Sequence, residues 1–274
     1  MVIRIPDTLT VEQSEKYLAS IRLEPGGLSF FCCHAATGED FFSAKVQFEQ
    51  PQTYVSALKE CFFDNECLSW KYKQLCLLAT ETPYTLVPET YYEKERRDAL
   101  FAFNFPEASA TRQILENKLA DGSVLLYALP EEVYSFCARS FAAPEFLHSA
   151  ALLLEQWKRL SETSLYKQLF VQVCGQHIEL ACFAPQGRLR LANSFEVRST
   201  RDILYYILYV WKQEGLDQLN DRLFLSGSPA RCAELRQALS LYLRHVSPVP
   251  LPAEAYLRRE EWADAPLDII YLFS

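Results

Sequence analysis

Three short, largely apolar runs near the start of the chain, set apart by turns, predict strands over Tyr17–Leu23, Leu28–His34 and Phe41–Phe48. Glu24-Pro25-Gly26-Gly27 and Thr37-Gly38-Glu39 interrupt them with turn chemistry. The pattern then changes. Tyr54, Val55, Leu58, Cys61 and Phe62 recur at helical spacing, so a helix is expected over 53–65 with that face inward. The layout recurs after residue 165. Strands are expected over Leu169–Cys174, His177–Phe183 and Arg188–Phe195, with tight turns at Gly175-Gln176 and Pro185-Gln186-Gly187. A helix over 200–214 follows, with Ser199 or Thr200 as its cap, Asp202 in its first turn and Gly215 as a left-handed stop. Its apolar face is Ile203, Leu204, Ile207, Leu208 and Trp211.

Each copy goes on to a short apolar strand, Leu75–Ala79 and Leu223–Leu225, of the kind covered on both faces of a sheet. In the second copy Ser228 as cap and Pro229 at the first helical position predict a helix to about Leu243. The first copy carries additions: a charged helix around 92–103, strands at Ile114–Lys118 and Val124–Leu129, a helix opening at Pro130, and another over 144–160. The polar link Ser161-Glu162-Thr163-Ser164 marks the boundary, giving lobes at 1–162 and 163–274. Strand–strand–strand–helix–strand–helix, written twice, predicts an α/β protein with mixed sheets, since antiparallel hairpins are joined to parallel crossovers.

Composition narrows the function classes. A chain of 274 residues, half of them hydrophobic and 23% charged, has the profile of a well-packed globular protein. The net charge of −8, with no basic stripe, argues against a nucleic-acid partner. Nine cysteines without C-x-x-C spacing read as buried reduced thiols in a reducing compartment. Residues 1–7 lack the features of a signal peptide, and the most apolar helical stretch, Ile203–Trp211, is too short to span a bilayer. A cytoplasmic protein with no membrane association is expected. His34, His148, His177 and His245 are scattered without metal-ligand spacing and read as surface residues. No nucleophile–base set can be assembled.

The duplicated plan resembles the actin-like ATPase fold, two ribonuclease H-like lobes hinged around a cleft. With Leu23–Phe30, Pro83–Pro88 and Leu223–Gly227, the chain also resembles an uncharacterised Bacteroidetes family thought to adopt that fold. The resemblance implies two phosphate loops with an Asp-x-Gly pattern, at the first hairpin of each lobe, holding ATP and hydrated Mg²⁺. The matching turns here are Glu24-Pro25-Gly26 and Val173-Cys174-Gly175. The first keeps a carboxylate, but Pro25 removes an N–H donor; the second has none. The adenosine turn of the superfamily matches Ser226-Gly227-Ser228, with one glycine replaced. Glu24, Gly26, Gly175, Ser226 and Gly227 are therefore the candidate nucleotide-binding residues, with no catalytic or metal residue assigned. Two readings follow. One is a non-catalytic interaction or scaffold protein, with an unidentified protein partner, that has lost ATP turnover and needs no cofactor. The other is an ATP-binding phosphotransferase or ATPase with a degenerate phosphate site. A ribonuclease H-like nuclease ranks last, because its metals need converging acids that the hairpins do not supply.

Overall fold

The structure is a computed structural model describing residues 2–49, 52–108, 111–257, 262 and 265–274. The first lobe opens with β1 (Tyr17–Glu24), β2 (Gly27–His34), β3 (Phe42–Gln47), α1 (Tyr54–Asp64) and β4 (Gln74–Ala79). An insertion follows: β5 (Tyr84–Pro88), α2 (Arg97–Asn104), β6 (Arg112–Lys118), β7 (Ser123–Pro130) and α3 (Glu131–Ser140). The lobe closes with β8 (Glu145–His148) and α4 (Ser149–Ser161). The second lobe comprises β9 (Gln168–Cys174), β10 (His177–Ala184), β11 (Arg188–Glu196), α5 (Thr200–Gln213), β12 (Arg222–Ser226), α6 (Pro229–Leu239) and β13 (Val246–Pro248). The short helices α7 (Ala253–Leu257) and α8 (Leu267–Phe273) end the chain.

Strand order establishes the duplication. The first sheet runs β3-β2-β1-β4-β8 and the second β11-β10-β9-β12-β13, each with antiparallel hairpins on one side and parallel crossovers on the other. These are two ribonuclease H-like lobes. The insertion forms a third, antiparallel sheet, β5-β7-β6, with Phe101 of α2 buried against it.

Local chemistry accounts for the elements that match expectation. Gly26 and Gly175 adopt φ of 74° and 56°, which the two first hairpin turns require. Ser199 and Asp202 form a reciprocal capping box at α5, and Gly215 ends that helix region at φ 59°. Seven cysteines are buried and two partly so.

Several expectations are corrected. The helix expected over 144–160 is two elements, β8 and then α4. Phe146 and Leu147 fit helical spacing, but they complete the first sheet beside β4. His148, expected at the surface, is buried: its Nδ1 accepts the Ala150 N–H at 3.1 Å and caps α4. The charged helix begins only at Arg97, after two 3-10 turns. The last helix of the second lobe stops at Leu239, and the short strand β13 follows it. Ser228 stands at the N-cap of α6 without a side-chain cap bond.

Helix α4 joins the lobes. Trp157 stacks on Phe170 of β9, with ring centroids 5.4 Å apart, and Phe170 and Phe183 belong to the same apolar cluster as the first-lobe sheet. The C-terminal helix α8 also crosses back, packing against α4 and, through Ile269, Ile270 and Phe273, against Phe31 and Leu78. Helix α5 covers only its own lobe, with Ile203, Ile207, Val210 and Trp211 inward. Tyr205 and Tyr209 remain 61% and 48% exposed on its outer side.

Candidate functional site

The first hairpin of each lobe ends where the two lobes meet, and charged side chains fill that junction. Arg22, one pleat before Glu24 on β1, is 7% exposed and reaches three groups. Nε donates to Asp268 Oδ2 of α8 at 3.0 Å, Nη1 to Glu24 Oε1 at 2.9 Å, and Nη2 to Cys174 Sγ of the second lobe at 3.6 Å. Asp268 is 3% exposed and also accepts the Ser149 hydroxyl at 2.6 Å. Sequence reasoning missed this group, because Arg22 and Asp268 lie 246 positions apart.

Glu24, the carboxylate that could have served a metal, is held by three donors. Besides Arg22 it accepts from Ser29 Oγ at 3.0 Å and pairs with Lys45 Nζ at 2.9 Å. Burial opposes its ionisation, but Lys45, Arg22 and Ser29 together outweigh it and hold the carboxyl below its usual range. In the second lobe, Val173 is buried in the core cluster, so the matching turn offers an aliphatic side chain.

A second layer crosses between the lobes. Glu81, in the turn after β4, lies 3.2 Å from His177 Nδ1, and Tyr84 of β5 donates its hydroxyl to Glu179 Oε2 of β10 at 3.0 Å. Glu179 is half-buried as a residue, but desolvation of its enclosed carboxyl, with Glu81 beside it, raises its pKa to about 8 against the pull of Tyr84. His148 shifts the other way, to about 4, because burial disfavours its charged form. The signs give a pH profile. Stability from neutral Glu179 is complete below about 4.5 and is lost as pH rises through 8; that from neutral His148 is complete above 6.5 and is lost as pH falls towards 4. Stability therefore declines from pH 6.5 to 8 on Glu179 alone. Glu179→Gln is expected to flatten that limb, adding about 1–2 kcal/mol at pH 8.5 and nothing at pH 5 in urea titrations.

Little space remains at the junction. The cavity lined by Arg22, Ser149, Cys174, His177 and Asp268 measures about 20 Å³, room for one water. A larger groove of about 920 Å³ opens between the second lobe, at the α6 start, and Pro266–Ile270 at the start of α8, the helix that packs on the first lobe. Gly175, Ser226 and Gly227 line it together with Arg231 and Arg236, while Glu24 and Gly26 do not. Among the described residues no acidic side chain lines this groove. Gly227 is also a packing residue. A Cβ there would lie 2.6 Å from the Val173 carbonyl oxygen, and its φ is 135°. The candidates thus divide: Gly175, Ser226 and Gly227 come together, Glu24 joins the ion cluster, and Gly26 turns a hairpin with nothing near its Cβ position.

The sequence of residues 6–246 matches the family described as protein of unknown function, DUF3822. The chain belongs to that family. Among solved structures it is similar to a Bacteroides thetaiotaomicron protein with an actin-like ATPase fold and unknown function. The identity is 24%, the TM-score 0.81, and the match covers 97% of this chain and 98% of that one. It is also similar to a chain of the PilM-PilN type IV pilus biogenesis complex, at 11% identity and TM-score 0.52, covering 94% and 97%. No curated protein matches the sequence. The chain has the actin-like ATPase fold, as the duplicated strand order and these likenesses agree. Among the described residues no helix is long and apolar enough to cross a membrane.

Proposed function

We propose that this DUF3822 protein is a cytoplasmic, non-catalytic interaction or scaffold protein of Bacteroidetes that keeps the actin-like fold and has lost ATP turnover. The observation that carries the reading is the filled junction. Where the fold's two phosphate turns face each other, Arg22, Glu24, Asp268 and Cys174 satisfy one another, and about 20 Å³ is left. The residues present do not fit Mg²⁺-triphosphate. The only carboxylate of the two turns is neutralised by Lys45 and Arg22, and its opposite number is buried Val173. The Bacteroides origin of the 24%-identical structure supports the lineage. An actin-like chain within the PilM-PilN complex supports the idea that such a fold serves assembly through a protein partner. Tyr205 and Tyr209, exposed on α5, are the surface we would probe for that partner first.

The 920 Å³ groove favours a second reading, an ATP-binding phosphotransferase or ATPase using Gly175, Ser226 and Gly227. Phosphate release separates the two. With purified protein and MgATP, release at the no-enzyme background is expected, and Glu24→Ala leaves it there. Saturable release above background would overturn the scaffold reading, whether or not Glu24→Ala abolishes it.

A further inference from the structure

The strongest unassigned chemistry is the guanidinium of Arg22 and what faces it. An arginine presents Nε and Nη2 as a parallel fork suited to two oxygens of one anion. Here the fork is divided. Nε is taken by Asp268 Oδ2 at 3.0 Å, and Nη2 is directed at the Cys174 sulfur at 3.6 Å. Burial pushes the Cys174 thiol up more than Arg22 draws it down, so at neutral pH the acceptor is a thiol, a weak one. Ser149 Oγ donates to the same Asp268 oxygen at 2.6 Å, so two donors from β1 and α4 converge on one carboxylate oxygen. The 20 Å³ cavity adjoins them.

We infer that Arg22 and Ser149 form a small oxyanion site, which the Asp268 carboxylate of α8 occupies in cis. The ligand class is a carboxylate or a phosphate, bound by side chains of β1 and α4 rather than by the backbone of either hairpin turn. The surrounding acids leave room for it. Glu24 is already held by Lys45 and Ser29 as well as by Arg22, Glu81 accepts the Cys174 thiol at 3.8 Å, and burial raises the Glu179 pKa to about 8. An incoming oxyanion could take both prongs of the fork where Asp268 takes one. The site is masked in the resting protein, because α8 also packs its apolar face on α4 and on the first sheet.

Chemical rescue tests this on the full chain. Asp268→Ala removes the internal carboxylate and leaves the donors. The variant should melt below the wild type. Formate or inorganic phosphate, titrated against chloride at equal ionic strength, should restore at least half of the deficit in a saturable way, with no comparable effect on the wild type. Rescue by formate alone assigns the site to carboxylates; rescue by phosphate assigns it to tetrahedral anions. Arg22→Met combined with Asp268→Ala should lose the rescue. If Asp268→Ala does not fold in chloride, refolding yield across the same formate and phosphate series is the readout. No gain from either anion, in melting or in yield, would overturn the inference, and so would equal rescue of the double variant.

Discussion

Replacing Arg22 by alanine is expected to lower stability by about 3–5 kcal/mol, seen as a fall in the urea midpoint with little change in slope. The size follows from what is left behind. Asp268 is 3% exposed and, among the described residues, would keep the Ser149 hydroxyl and the Ile269 N–H at 3.0 Å as donors. A buried carboxylate without its cation is among the most costly defects a core can carry. Glu24 suffers less, since Lys45 and Ser29 remain. The two partners are therefore expected to couple: Asp268→Ala made in the Arg22→Ala background should cost less than it does alone, by about 1–2 kcal/mol. Additive costs would mean that the Arg22–Asp268 bond contributes nothing of its own.

Gly227→Ala is expected to cost about 2–5 kcal/mol, because it combines a clash with backbone strain. The added Cβ meets the Val173 carbonyl oxygen at 2.6 Å and its Cβ at 3.1 Å, and a φ of 135° suits glycine alone. Neither neighbour is the far end of a flexible side chain, so β9 and β12 would have to move apart. Gly26→Ala is the control. Nothing lies within 4 Å of its Cβ position, and only the φ of 74° is penalised, for about 1–2 kcal/mol. Equal costs at the two positions, measured by urea denaturation, would remove the argument that Gly227 is needed for close packing.

The hairpins and α5 were legible in the sequence because their determinants are local. Gly26, Gly175 and Gly215 supply positive φ, and the Ser199–Asp202 box marks a helix start. The missed elements lack such markers. In β8, Phe146 and Leu147 continue the apolar spacing of α4, so four residues of strand look like helix. Strand β13 is three residues ending at Pro248, and β5 lies between Pro83 and Pro88; proline argues against a strand unless the position is an edge. Helix α8, Leu-Asp-Ile-Ile-Tyr-Leu-Phe, is apolar nearly all round, and its one acid gives no sign of its partner. The site divides the same way. Glu24 and Val173 were readable as a carboxylate kept and a carboxylate lost. The Arg22–Asp268 bond that fills the junction depends on a chain reversal at the far end of the sequence, which periodicity does not encode. The exposed tyrosines of α5 were half-legible: the sequence marks Ile203–Trp211 as the most apolar helical stretch, and only the structure shows which side is bare.

The central claim is that the protein's own side chains occupy the ground between its lobes. A melting curve taken with millimolar MgATP tests it most directly, since a ligand selective for the folded state must raise the midpoint. The expected curve superimposes on the one recorded with Mg²⁺ alone. A saturable rise that requires both ATP and Mg²⁺ would contradict the claim.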